Sequence, residues 1–169
     1  MRKPTLPLMV LALCLPAPVL AQEAGWHYSP FDGEGDRAAL GCAYDSDAVT
    51  FTCLAVRCED DFSVGLHIHT SRLGGDEGGW RLDIDREHFE LTARADGAPY
   101  HARVEGDVAP LLEALRNGAV AYLDPVSGAP VFRNGISLSG SLYVINQALY
   151  FCAPKVPDEP EPGDGQATK

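Results

Sequence analysis

Beyond its first 21 residues the chain keeps four cysteines, Cys42, Cys53, Cys58 and Cys152, and these limit its fold more than any other feature. An even set of cysteines in an exported chain reads as disulfides, two of them here. Export is the reading of residues 1–21, which have the form of a secretory signal peptide. Arg2 and Lys3 give the charged start, Leu6 to Leu15 the apolar stretch and Val19-Leu20-Ala21 the small-residue cleavage site. The apolar run is short and broken by Pro16 and Pro18, so no membrane span is expected. Cys14 follows Leu13 where a lipid-attachment signal needs a small residue, and is read as part of the signal peptide. The expected location is periplasmic or secreted.

Four cysteines allow three connectivities. Spacing favours Cys53–Cys58, closing a short loop, with Cys42–Cys152 tying an early strand to the end of the last helix. A loop of over a hundred residues closed in that way is worth about 4.7 kcal/mol in the chain-entropy picture. A structural zinc site from the same residues is the rival, and the lack of paired C-x-x-C spacing weighs against it.

Two helix signals lie in the last third of the chain. Residues 107–118 carry Pro110 in the first turn, an apolar stripe of Leu111, Leu112 and Leu115, and Gly118 placed for a left-handed C-cap, with Asp107 or Ala109 as N-cap. Residues 141–150 place Leu142, Ile145 and Leu149 on one face, with Ser139 or Ser141 as cap. Strands are expected at 38–44, 49–55, 63–70, 80–85, 89–95, 100–104, 119–123 and 131–138, and an irregular segment at 26–37. Val64, Leu66 and Ile68 point to one face of their strand, and Gly65, His67 and His69 to the other. Residues 73–79 are a glycine-rich loop; their Gly74-Gly75-Asp76-Glu77 copies a cyclic-dinucleotide synthase signature but lacks that chemistry's cytoplasmic α/β context. Residues 22–153 are therefore expected to form a single β-rich domain with two helical segments (α+β), a disulfide-stapled antiparallel sandwich or open barrel. Residues 154–169, rich in Pro, Asp and Glu, read as a disordered tail.

Charge narrows the partners. The chain has 13 basic and 24 acidic residues, and removing the signal takes two basic residues and no acidic ones, leaving a net charge of −13. Such a surface repels nucleic acid and anionic lipid and suits a basic partner.

The one motif with ligand chemistry is His67-x-His69. If the strands flanking the 73–79 loop pair as a hairpin, a register that sets His69 opposite Asp83 also sets His67 opposite Asp85. That patch of nitrogen and oxygen ligands would suit Zn²⁺, Cu²⁺ or Ni²⁺. The plainer reading is cross-strand His–Asp pairing on a polar face, worth roughly 0.2–1 kcal/mol per pair. No nucleophile elbow, Walker loop, H-E-x-x-H or free Cys–His pair is present. Ser137, Ser139 and Ser141 read as a strand end and helix cap, the Asp-rich turn 32–36 as solvated rather than Ca²⁺-binding, and Arg86, Arg94 and Arg103 as partners of nearby carboxylates.

The stretch from Leu111-Leu112-Glu113-Ala114-Leu115-Arg116-Asn117-Gly118 through Gly135-Ile136-Ser137-Leu138-Ser139-Gly140 to Gln147-Ala148-Leu149 resembles the C-terminal half of the invasion-associated locus B family. Cys53-x4-Cys58 is similar to a close cysteine pair of that family, although it lies earlier in this chain. The resemblance implies an exported, β-rich accessory protein without an established catalytic site.

The expected function is thus that of an exported, non-catalytic envelope protein that binds a partner, such as a basic protein, with lysozyme-type inhibition one concrete version. The alternatives are a transition-metal module built on His67 and His69, aided by Asp83 and Asp85 and loaded with Zn or Cu, and a hydrolase with an unrecognised carboxylate pair.

Overall fold

The computed structural model describes residues 24–30, 37–96, 100 and 102–152. The expected signal peptide, the expected 32–36 turn and the expected disordered tail lie outside the described residues. Strands run over β1 Gly25–Pro30, β2 Arg37–Cys42, β3 Thr52–Cys58, β4 Val64–Thr70, β5 Gly78–Ile84 and β6 Glu87–Ala95. They continue with β7 Ala102–Val104, helix α1 Ala109–Asn117, β8 Val120–Pro125, β9 Gly135–Ser137 and helix α2 Ser141–Ala148. A 3-10 turn, Tyr150–Cys152, closes the described chain.

The nine strands among the described residues share one antiparallel sheet in the order β1-β2-β3-β4-β7-β6-β5-β8-β9. Its two ends approach each other, for β9 packs against β1 and β2 and the Tyr44 amide donates to the Gly135 carbonyl at 3.2 Å. The result is the open barrel of the two expected architectures. Leu54, Val56, Leu66, Ile68, Trp80, Leu82, Leu123 and Ile136 fill its inner side together with Leu111, Leu112 and Leu115 of α1 and Val144 and Ile145 of α2. Both helices therefore pack on the inner face, and α2 lies against β1, β2 and β3. Among the described residues no helix is long and apolar enough to cross a membrane.

A smaller cluster occupies the outer face of β2 and β3, made of Ala38, Leu40, Cys42, Cys53, Ala55 and Tyr100. With apolar groups on both sides, these strands are buried almost throughout. The segment expected to be irregular holds β1, paired with β2 along its whole length, and Trp26 stacks where a Cβ at Gly41 would collide with its ring.

Several expectations are corrected. Gly118 ends α1 in an extended conformation, φ −76°, and glycine is required there by close approach, since a Cβ would crowd Ile84, the Ala114 carbonyl and Leu138. The N-cap of α1 is Val108, and Asp107 instead accepts a hydrogen bond from the Ala109 amide at 2.9 Å. Helix α2 starts from Gly140 in a left-handed conformation and buries Ser141, Val144, Ile145 and Ala148, so Leu142 is turned outward.

The cysteine pairing also differs from the expected one. Cys42 and Cys53 are directly opposed in the β2–β3 ladder and bonded, Cα–Cα 4.1 Å, and Cys58 is bonded to Cys152, Cα–Cα 5.5 Å. Cys53 and Cys58 stand on one extended strand, five residues or roughly 16 Å apart and on opposite faces, beyond disulfide reach. Cys42 points to the outer face, away from the inner mouth where Cys152 lies.

Candidate docking groove and the buried histidines

The turn after β3 is shaped by its own backbone. Glu59 donates its amide to the Ser63 carbonyl at 2.8 Å and accepts from the Phe62 amide at 2.9 Å. Phe62 is held at φ 65°, a left-handed conformation uncommon for a bulky residue, with its ring 70% exposed. Across from this turn, α2 directs Leu142 and Tyr143 away from the core, and the 3-10 turn adds Tyr150 and Phe151, which meet edge to face at 5.3 Å. The last three are 67–75% exposed. Together these side chains line an open groove of about 1280 Å³ whose floor includes Tyr28, Cys58, Glu59 and Asp60.

Three polar side chains of the groove, Tyr143, Gln147 and Glu59, have partners. Tyr143 accepts a hydrogen bond on its hydroxyl from Gln147 Nε2 at 2.6 Å. Burial pushes the Tyr28 phenol up, Tyr143 adds to this and Arg37 opposes it. Glu59 has both carboxylate oxygens occupied, Oε1 by His67 Nε2 at 2.8 Å and Oε2 by Arg57 Nε at 3.4 Å. Beside it, Asp61 sits below the usual carboxylate range because the Ser63 hydroxyl and amide donate to it.

His67 is linked to the groove through Glu59, and both histidines are buried. His67 faces Ala55 on one neighbouring strand and Arg103 on the other, while His69 faces Cys53. Their rings pack beside Tyr100 at centroid distances of 5.6 and 5.7 Å, and His69 also meets Phe51 at 4.6 Å. Burial holds the His67 imidazole below its ordinary pKa of 6.5, against the opposing hydrogen bond and charge of Glu59; Arg57 lowers it further and Asp96 raises it. A neutral His67 that donates from Nε2 to Glu59 leaves Nδ1 as an acceptor, and this buried atom has no hydrogen-bond partner among the described residues.

The four proposed metal ligands are not brought together. β4 pairs with β3 and β7 rather than with β5, so His67 and His69 never oppose Asp83 and Asp85. Asp83 instead meets His88 Nδ1 at 2.8 Å, and Asp85 accepts from the Ala119 and Val120 amides at the β5–β6 turn. Among the described residues no group of three His, Cys, Asp or Glu side chains could hold a metal ion. Arg94 pairs with Glu105 at 2.6 Å as expected, whereas Arg103 donates to the Ser63 hydroxyl. Ser141 is buried and donates to the Leu115 carbonyl, and Ser137 accepts from the Ser139 amide. These serines serve the fold.

The groove is not legible in the sequence. Its wall is built from Tyr143, Tyr150 and Phe151, whose exposure depends on which face of α2 the barrel buries. The signal available was the excess of aromatic residues around a short helix.

No family model and no curated protein matches the chain. Among solved structures it is similar to the invasion-associated protein B of Bartonella henselae, with a TM-score of 0.48 and 19% identity. The match covers 78% of this chain and 96% of that one. It is a distant likeness.

Proposed function

We propose that this is an exported, non-catalytic envelope protein that binds a basic protein partner, and that the groove beside α2 is its contact surface. The observation that carries the reading is the wall of Phe62, Leu142, Tyr143, Tyr150 and Phe151, five large apolar side chains at least half exposed around one concavity. Soluble monomers rarely present such a patch without a binding role, and Tyr and Phe are favoured at interface cores. The acidic surface favours a basic partner through encounter rate more than through final affinity. Glu59, tied on both oxygens, is a structural group rather than a free acid or base. Two disulfides are compatible with an oxidising, extracytoplasmic location.

The test is titration calorimetry of the 22–169 chain against a panel of basic envelope-acting proteins, a lysozyme among them, at low and moderate salt. A complex that weakens with salt, and about tenfold or more in Tyr143→Ser/Phe151→Ser, supports the reading. Its failure is the absence of any salt-sensitive complex across the panel.

A further inference from the structure

The two disulfides differ in what protects them. Cys42 and Cys53 are fully buried and staple strands that the β2–β3 ladder already pairs. Cys58 and Cys152 are only partly buried, and Cys58 lines the groove, which is wide enough to admit a small thiol. Among the described residues the segment that Cys152 anchors is held otherwise by the edge of the core, where Cys152 packs, and by contacts with β3 and α2. Tyr150 and Phe151 are 72% and 75% exposed, and the turn's own bond runs from the Cys152 amide to the Leu149 carbonyl at 3.0 Å. Local order with so little burial is weak unless a covalent tie maintains it.

Resting on the groove as the binding surface, we infer that Cys58–Cys152 is a redox latch that holds the Tyr150–Phe151 wall in place. The reductant is a small or protein-borne dithiol. Its thiolate attacks Sγ of Cys58, the sulfur–sulfur bond breaks, and Cys152 leaves as a thiolate that takes a proton from water. The second thiol of the reductant resolves the mixed disulfide, so the reductant ends oxidised to a disulfide and the protein carries two thiols. Glu59 and Asp60 line the groove beside Cys58, so a dithiol that carries no negative charge beyond its attacking thiolate is the better reductant. Once released, the turn loses its registry with the end of β3, and the groove loses one wall while the barrel keeps its sheet.

The experiment treats the native 22–169 chain with increasing dithiothreitol, quenches with iodoacetamide and maps alkylation by mass spectrometry. Cys58 and Cys152 are expected to label about tenfold or more before Cys42 and Cys53. The species labelled only at Cys58 and Cys152 is then isolated. It is expected to keep its far-ultraviolet circular dichroism, to exchange the 150–152 amides faster, and to bind the neutral apolar dye Nile red about tenfold more weakly than the oxidised protein. Concurrent labelling of all four cysteines, global loss of structure in the isolated species, or unchanged dye binding each overturns the latch. If the oxidised protein binds no dye, the groove reading fails instead, and amide exchange at 150–152 alone decides the latch.

Discussion

A Cβ at Gly65 would overlap the Glu59 carboxylate and press on His67 Nε2, so the bare backbone of β4 is what lets Glu59 reach both of its partners. Gly65→Ala would swing the flexible carboxylate away rather than break the strand. The cost then falls on the buried His67 and on Arg57, whose charge-assisted contacts are lost, and is about 1–3 kcal/mol in urea unfolding. Ala suits a strand better than Gly by roughly 0.5–1 kcal/mol, which offsets only part of this. The same cluster sets a pH dependence. Because the folded His67 binds its proton more weakly than the unfolded imidazole, the unfolded state takes up more protons below pH 6.5, and stability falls as pH drops through that window. Above pH 6.5 the contribution is fully present. Unfolding free energies from pH 7.5 downward should show this decline, and His67→Gln, which cannot titrate, should flatten it.

Helices α1 and α2 are clamped by the Ser141 hydroxyl, which donates to the Leu115 carbonyl at 2.7 Å in a fully buried site. Ser141→Ala removes one donor and leaves a buried carbonyl, so a loss of about 1–2 kcal/mol is expected by denaturant titration. The loop that joins β4 to β5 is organised by Asp76, which accepts from the Thr70 amide at 2.9 Å and from its hydroxyl, while its carbonyl accepts from Trp80 Nε1 at 2.8 Å. Asp76→Ala should cost more, about 2–4 kcal/mol, since charge-assisted bonds are stronger than neutral ones and their buried donors are left bare. That loop also marks the limit of what was legible. Strands β4, β5 and β6 follow from alternation of apolar residues, and both helices from their apolar spacing, although neither the expected caps nor the inward placement of Leu142 holds. The glycine-rich 73–79 stretch looks like a hairpin turn, yet Asp76 turns inward, and β7 and β6 stand between β4 and β5 in the sheet. Period-two alternation places His67 and His69 on one face; it does not reveal that Leu40, Ala55 and Tyr100 bury that face as well.

At the scale of the molecule, register decided what spacing could not. Cys42 and Cys53 meet because β2 and β3 pair in one register, and Cys58 meets Cys152 because α2 returns the chain to the inner mouth of the barrel. The two bridges close loops of very different length, with sequence separations of 11 and 94. In the chain-entropy picture these are worth about 2.8 and about 4.7 kcal/mol, acting on the unfolded chain. The longer bridge therefore stabilises the molecule more, although it orders less of the folded surface. Cys58→Ser/Cys152→Ser should lower the unfolding free energy by about 2 kcal/mol more than Cys42→Ser/Cys53→Ser if chain entropy dominates. The opposite order would mean that the outer cluster around Cys42, Cys53 and Tyr100 loses more by being opened than the unfolded chain gains in freedom. Urea unfolding of both pairs at one pH, compared through midpoints and slopes, separates the cases. A reduced midpoint with an unchanged slope assigns the loss to stability, and an increased slope assigns it to a more expanded unfolded chain.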